Sequence, residues 1–165
     1  MKPALLVIDM QQHYAFANEE KTRLTLRAVE FINTAIDLFR KKGLPVICIQ
    51  HRDEAEGVVP EADGFKNIDQ LAINPDDIHI IKTYGNAFNK TSLEETLRKL
   101  SVDTVILTGY CAEYCVLSTC RGALDIDLVP LILRNAISSG IPENIRFVEN
   151  VNEVISLGAL EAVLP

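Results

Sequence analysis

The chain has 165 residues, 48% hydrophobic and 24% charged, a balance that suits one globular domain with a sizeable core and leaves little for a second. Its formal net charge of −7 and pI of ≈ 5.0, with no patch concentrating Lys and Arg, exclude a nucleic-acid or anionic-membrane surface and favour small-molecule partners. No apolar run approaches membrane-spanning length, and Met1-Lys2-Pro3 leads into a strand without the apolar region of an export signal, so a cytoplasmic location is expected.

The first predicted strand, Ala4 to Asp9, carries four apolar residues, Leu5 to Ile8, directly into a carboxylate. A loop through Gln11 and Phe16 follows. Leu24, Ala28, Phe31, Ile32, Ala35, Leu38 and Phe39 then recur at helical spacing, which predicts a sheet-covering helix over about residues 21–42, stopped by Gly43. Pro45 to Gln50 is apolar almost throughout, as a parallel strand buried on both faces must be. Residues 51–65 are polar and broken by Gly57, Pro60 and Gly64; a connection this long reads as a rim or lid.

The third strand, Ile78 to Ile81, runs into Lys82, and Thr91-Ser92-Leu93-Glu94 has the pattern of a capping-box helix start. Val105 to Leu107 is a fourth buried strand, ended by Gly109. From Val116 the spacing turns helical through Cys120 and Ala123, which places Cys115 in the first turn of the following helix. Unpaired N–H groups and the helix dipole there favour a thiolate over a thiol. Leu128 to Leu133 is predicted as strand five, Pro142 to Asn150 as a short helix, and residues 151–157 as a weaker sixth strand. The fold class is α/β, a three-layer Rossmann-like arrangement with a parallel sheet of five or six strands.

In open parallel sheets, ligands bind beyond the carboxyl ends of the strands. Asp9, Lys82 and Cys115 would therefore deliver a carboxylate, an amine and a thiol to one sheet edge. The four cysteines, at 48, 111, 115 and 120, are expected to be free thiols, and the spacing of the last three does not suit a structural zinc site. Neither a Gly-x-Gly-x-x-Gly nor a Walker-type loop occurs, nor a Gly-x-Ser-x-Gly elbow. No cofactor is expected.

The segments Ala4 to Gln12, Lys82 to Phe88 with Thr91 and Leu93, and Leu107 to Gly109 with Cys115, Val116, Thr119 and Ala123, resemble the isochorismatase-like cysteine hydrolases. That group includes nicotinamidases and N-carbamoylsarcosine amidohydrolase. The resemblance covers roughly residues 4–136 and implies a catalytic triad of Asp9, Lys82 and Cys115. It also implies oxyanion donors at the backbone N–H groups of Cys111 and Cys115, with a non-proline cis peptide at Tyr110-Cys111. It places Gln11, Tyr84, Phe88, Tyr110 and Tyr114 around the substrate. Asn86 stands where many relatives carry Ser.

Members that retain the cysteine point to C–N hydrolysis of a small amide, carbamoyl or ureido compound through a thioester. The resemblance disfavours nicotinamide and metal binding, because Gln50-His51-Arg52-Asp53 lacks the Asp-x-His pattern of nicotinamidases. A homo-oligomer is expected, partly from relatives and partly from the apolar segment 151–164, which either meets a second copy or packs on its own sheet. The alternative function is a catalytically silent binding or scaffold protein on the same fold.

Overall fold

In a computed structural model that describes residues 1–165, six parallel strands lie in the order β3-β2-β1-β4-β5-β6. They are β1 (Pro3–Ile8), β2 (Val46–His51), β3 (Ile78–Lys82), β4 (Thr104–Tyr110), β5 (Val129–Ser138) and β6 (Val154–Ile155). Helices α1 (Gln12–Ala15), α2 (Glu19–Lys41), α3 (Leu93–Lys99), α4 (Leu117–Leu124), α5 (Pro142–Asn150) and α6 (Leu157–Val163) flank the sheet. No helix is long and apolar enough to cross a membrane.

The two-residue side-chain period of a strand explains why the central strands are apolar at every position. Ala4, Leu6 and Ile8 of β1 face one core with Val105 and Leu107 of β4, packed under Leu93, Leu97, Cys120 and Val148 from α3, α4 and α5. Leu5, Val7 and Ile106 face the other, under Ile32, Ile36 and Phe39 of α2. Helix α2 is fixed at its start by Asn18, whose side chain accepts from Lys21 N at 2.9 Å, with Glu19 and Glu20 in the first turn and Arg40 and Lys41 in the last.

Several expected boundaries move for local reasons. Residues 12–15, expected as loop, form the short helix α1. The capping box at α3 does not form: Ser92 makes no side-chain cap, and Thr91 Oγ1 instead accepts from Leu93 N at 3.2 Å. Strand β5 runs on to Ser138 because a bulge opposite Leu107 and Gly109 lets Ile137 and Ser138 resume pairing. The stretch after β2 is folded down, with Val58, Phe65 and Ile68 buried. The sixth strand shrinks to two residues, and the apolar tail forms α6, capped by Ser156 and burying Leu160 and Leu164 against the α2 core. That tail packs on its own sheet; Val163 alone of its large residues is mostly exposed.

Two glycines sit where a Cβ would collide, one with backbone and one with a side chain. Gly109 has φ +111, and a Cβ there would run into the Ile8 backbone, so β1 and β4 meet closely where their carboxyl ends begin to diverge. Gly122 of α4 lies against the Asn86 side chain, locking α4 onto the loop that follows β3.

Candidate active site

Strand order reverses between β1 and β4, the position where open α/β sheets leave a crevice. Four adjacent strands end there, and each contributes. Asp9 follows β1 with φ 51, a left-handed conformation costing on the order of 1 kcal/mol that turns its carboxylate out of the strand direction. His51 and Lys82 end β2 and β3 in direct register, which puts both side chains on one face. After β4, the cis peptide Tyr110-Cys111 leads into a π-helical turn, Ala112–Val116, and only then into α4. Cys115 thus lies on this wider turn, not in an α-helical first turn, and Val116 N bonds back to Cys111 O at 3.2 Å.

Lys82 is 1% exposed and its Nζ is the hub. It lies 2.8 Å from Asp9 Oδ2, 3.2 Å from Cys115 Sγ, 3.0 Å from His51 Nδ1 and 3.1 Å from Tyr84 O. One Asp9 oxygen, one His51 ring nitrogen and Cys115 Sγ all lie within 4.8 Å of one another. Those three are ligand types for a transition metal. Lys82 Nζ nevertheless contacts all three residues, so a second cation would have to displace the lysine from them, and the set does not fit a metal.

The other Asp9 oxygen, Oδ1, is buried without any hydrogen-bond partner. Burial pushes the Asp9 carboxyl above its ordinary value, with Lys82 acting in the opposite direction. Burial also pushes the Cys115 thiol up to about 12, reinforced by the Asp9 charge and opposed by Lys82. Burial and the Asp9 charge both favour the Cys115 thiol, against the expectation of a thiolate favoured by a helix start. Desolvation and the Lys82 charge lower the His51 pKa, so its ring is neutral near pH 7.

These groups open into a cleft of ≈ 550 Å³ lined by Tyr14, Lys21, His51, Tyr110, Tyr114 and Cys115 among others. Tyr14 stacks on Tyr110 with centroids 5.6 Å apart, and Lys21 Nζ sits 4.5 Å above the Tyr110 ring. A hollow of similar size, ≈ 510 Å³, lies beside α4 and the start of β5, lined by Cys120, Arg121 and Glu153 among others and away from Asp9, Lys82 and Cys115.

Of the residues the sequence assigns to substrate, Tyr110 and Tyr114 line the cleft, as does Cys111. Three do not. Gln11 is fully buried, its amide engaged with His51 O and Phe65 O at 3.0 Å each and with His51 N at 2.7 Å. Phe88 is half-buried and packs against the core cluster that holds Leu93, Leu97 and Cys120. The Tyr84 ring turns outward, its hydroxyl accepting from Lys90 Nζ at 3.0 Å.

Sequence reasoning gave no part to Tyr14, Lys21, His51 or Glu113. The strand-end logic that found Asp9 and Lys82 applies equally to His51, at the end of an apolar run. Glu113 lies within the π-helical turn and accepts from Cys111 Sγ at 3.0 Å, Ser139 Oγ at 2.9 Å and Asn144 Nδ2 at 2.8 Å, which ties the turn to α5.

Comparison with known proteins agrees with the fold. An uncharacterised isochorismatase family protein of Bacillus subtilis (strain 168) is 32% identical over 123 residues, 73% of this chain and 65% of the relative. Nicotinamidase 3 of Arabidopsis thaliana is 31% identical over 136 residues, again 73% of this chain and 65% of the relative. The chain thus spans just under two-thirds of the length of these two proteins. The crystal structure of N-carbamoylsarcosine amidase from Thermoplasma acidophilum superposes with a TM-score of 0.81 at 27% identity, covering 94% of this chain and 96% of that one. Residues 3–152 match the profile described as the isochorismatase domain, and the chain belongs to the isochorismatase family.

Proposed function

We propose that this chain is a cysteine hydrolase that cleaves a C–N bond in a small amide, carbamoyl or ureido compound through Asp9, Lys82 and Cys115. The observation that carries the reading is the position of the buried Lys82 Nζ, within hydrogen-bond distance of both the Asp9 carboxylate and Cys115 Sγ at the floor of a cleft. The relatives named as a nicotinamidase and an N-carbamoylsarcosine amidase support the substrate class.

In this mechanism, Asp9 accepts the Cys115 proton as Sγ forms a bond to the substrate carbonyl carbon, and Lys82 stabilises the sulfur's developing charge. The carbonyl oxygen becomes an oxyanion held by the backbone N–H groups of Cys111 and Cys115. Collapse breaks the C–N bond, Asp9 returns the proton to the leaving nitrogen, and a thioester remains. Water then attacks the thioester carbon, giving its proton to Asp9. The C–S bond breaks, and the thiolate recovers the proton. A carboxyl raised toward neutrality suits this shuttle, because it both takes and returns a proton.

A panel of small amides, carbamates and ureido acids tests the reading, with Cys115→Ala as control. Hydrolysis of one or more by the unmodified chain, absent in the variant, is expected; hydrolysis that persists in Cys115→Ala would falsify the mechanism.

The assembly belongs to the same reading. Tyr114 at the cleft mouth is 68% exposed, and Ile141 and Phe147, at the start of and within the adjacent α5, are 54% and 53% exposed. That apolar rim beside the site supports a homo-oligomer that covers it, in place of the C-terminal tail. The four unpaired thiols suit a reducing, cytoplasmic setting. Light scattering at micromolar concentration should give at least twice the chain mass.

A further inference from the structure

Lys82 Nζ faces four acceptors, and a protonated amine has three hydrogens. One of the four is unlike the others. Asp9, Tyr84 and Cys115 offer an oxygen or sulfur in any state, whereas His51 accepts at Nδ1 only if that nitrogen carries no hydrogen. An ammonium has no acceptor, so its 3.0 Å contact suits only an Nδ1 without hydrogen. A neutral ring has one N–H, which must then be at Nε2.

Nothing in the protein accepts from that nitrogen. His51 makes side-chain hydrogen bonds through Nδ1 alone, and its ring forms part of the cleft wall beside Tyr14, with centroids 6.5 Å apart. The ring is also held from behind. Gln11 clamps the His51 backbone on both sides, its Nε2 donating to His51 O and its Oε1 accepting from His51 N. Register with Lys82 across β2 and β3 fixes the side-chain direction. One of the two ring nitrogens lies within 4.8 Å of Cys115 Sγ, and the ring and that sulfur line the same cleft.

We propose that His51 is a further catalytic residue: with Nδ1 held by Lys82, its Nε2–H donates to an acceptor oxygen or unprotonated nitrogen adjacent to the carbon that Cys115 attacks. The preferred substrates are those in which the scissile carbonyl has such an acceptor as its neighbour. Burial and the Lys82 charge keep the ring neutral, which preserves the arrangement. The inference deepens the hydrolase reading and relies on it for the role of Cys115.

Its tests do not require turnover. Long-range proton–nitrogen NMR of the imidazole rings near pH 7, assigned with a His51→Gln sample, should show His51 with a bare Nδ1 and a protonated Nε2. A hydrogen at Nδ1, or at both nitrogens, overturns the proposal. Alkylation of Cys115, followed by peptide mass mapping, supplies the second arm. Iodoacetamide carries a carbonyl oxygen on the atom bonded to the carbon attacked, and iodomethane carries none. His51→Phe should slow iodoacetamide by about tenfold, the effect of one hydrogen bond, and iodomethane by less than about twofold. His51→Gln, which keeps an N–H donor, should recover most of the iodoacetamide rate. Equal slowing with both reagents, or none with either, overturns the donor role. Failure of every amide to be hydrolysed would instead sink the preceding reading and leave these outcomes as they stand.

Discussion

Helix α3 and the end of β3 carry ion pairs of nearly the same length and of different consequence. On α3, Glu94 and Arg98 meet at 2.7 Å and Glu95 and Lys99 at 2.6 Å, all four side chains open to solvent. At the site, Asp9 and Lys82 meet at 2.8 Å with side chains 2% and 0% exposed. Water screens the first set, and the long side chains lose rotamer freedom to form it. The second set has surrendered its hydration, so each charge depends on the other. Distance alone says little about an ion pair; what surrounds it decides whether it is decoration or machinery.

The largest expected effect follows from removing one half of the buried pair. Lys82→Met leaves Asp9 in the core without a counter-charge, and denaturant unfolding at pH 7 should show a loss of about 3–5 kcal/mol. Hydrolysis should fall below detection in the folded fraction. A variant as stable as the original would show that the Asp9 charge is not borne in the folded state.

Asp9→Asn separates ionisation from catalysis. The Asp9 charge is one of the causes that raise the Cys115 thiol, so its removal should lower that pKa from about 12 and speed alkylation at alkaline pH. Turnover should nevertheless drop by about 10²- to 10⁴-fold, because no group then carries the proton to the leaving nitrogen. Parallel changes in both measurements would break the assignment of Asp9 as shuttle.

A smaller effect is set by pH. Burial raises Cys115 to about 12 and both Cys48 and Cys111 to about 11, each above the ordinary thiol. A group raised in the folded state contributes stability that is fully present below its unfolded pKa and is lost as pH climbs through the folded value. Stability should therefore decline from about pH 9 toward pH 12, and Cys115→Ala should flatten the upper part of that decline. Unchanged curves would place the thiols in wetter surroundings than their burial implies. Least of all, Glu94→Gln and Glu95→Gln should move the melting midpoint by about 1 °C or less, and the shift should shrink further in high salt.

The framework of the fold was legible because strands buried on both faces have no choice of residue. Leu5 to Ile8, Val46 to Ile49 and Val105 to Leu107 admit no polar member, and Leu24 to Phe39 repeats at a helical period over four turns. Asp9 and Lys82 were legible as charges placed where apolar runs stop, and Cys115 as a thiol where the spacing turns helical. What could not be read is register. Only the pairing of β2 with β3 puts His51 opposite Lys82, and only packing turns Phe88 inward and Tyr84 outward. The state of Cys115 was misjudged for a related reason, since sequence shows a turn before a helix and not how deeply that turn is buried. Helix α6 was within reach: Ser156 is a cap residue, and Leu157, Leu160 and Leu164 keep a helical spacing.

The close approach of Gly122 to Asn86 bears on which ancestors and descendants this chain can have. Alanine is the better helix former by about 1 kcal/mol, so a glycine inside α4 is a cost that only the neighbouring amide explains. The two positions are then not independently free to drift: Gly122→Ala is harmful while Asn86 is present and favourable once a smaller residue replaces it. Asn86 also accepts from Phe88 N at 2.9 Å, a bond a serine hydroxyl can inherit. Thermal melting of the two single variants and the pair would show this as sign epistasis, with Gly122→Ala destabilising alone and stabilising on an Asn86→Ser background. The residue in the loop after Lys82 and the glycine of α4 would thus have changed in a fixed order, the smaller side chain first.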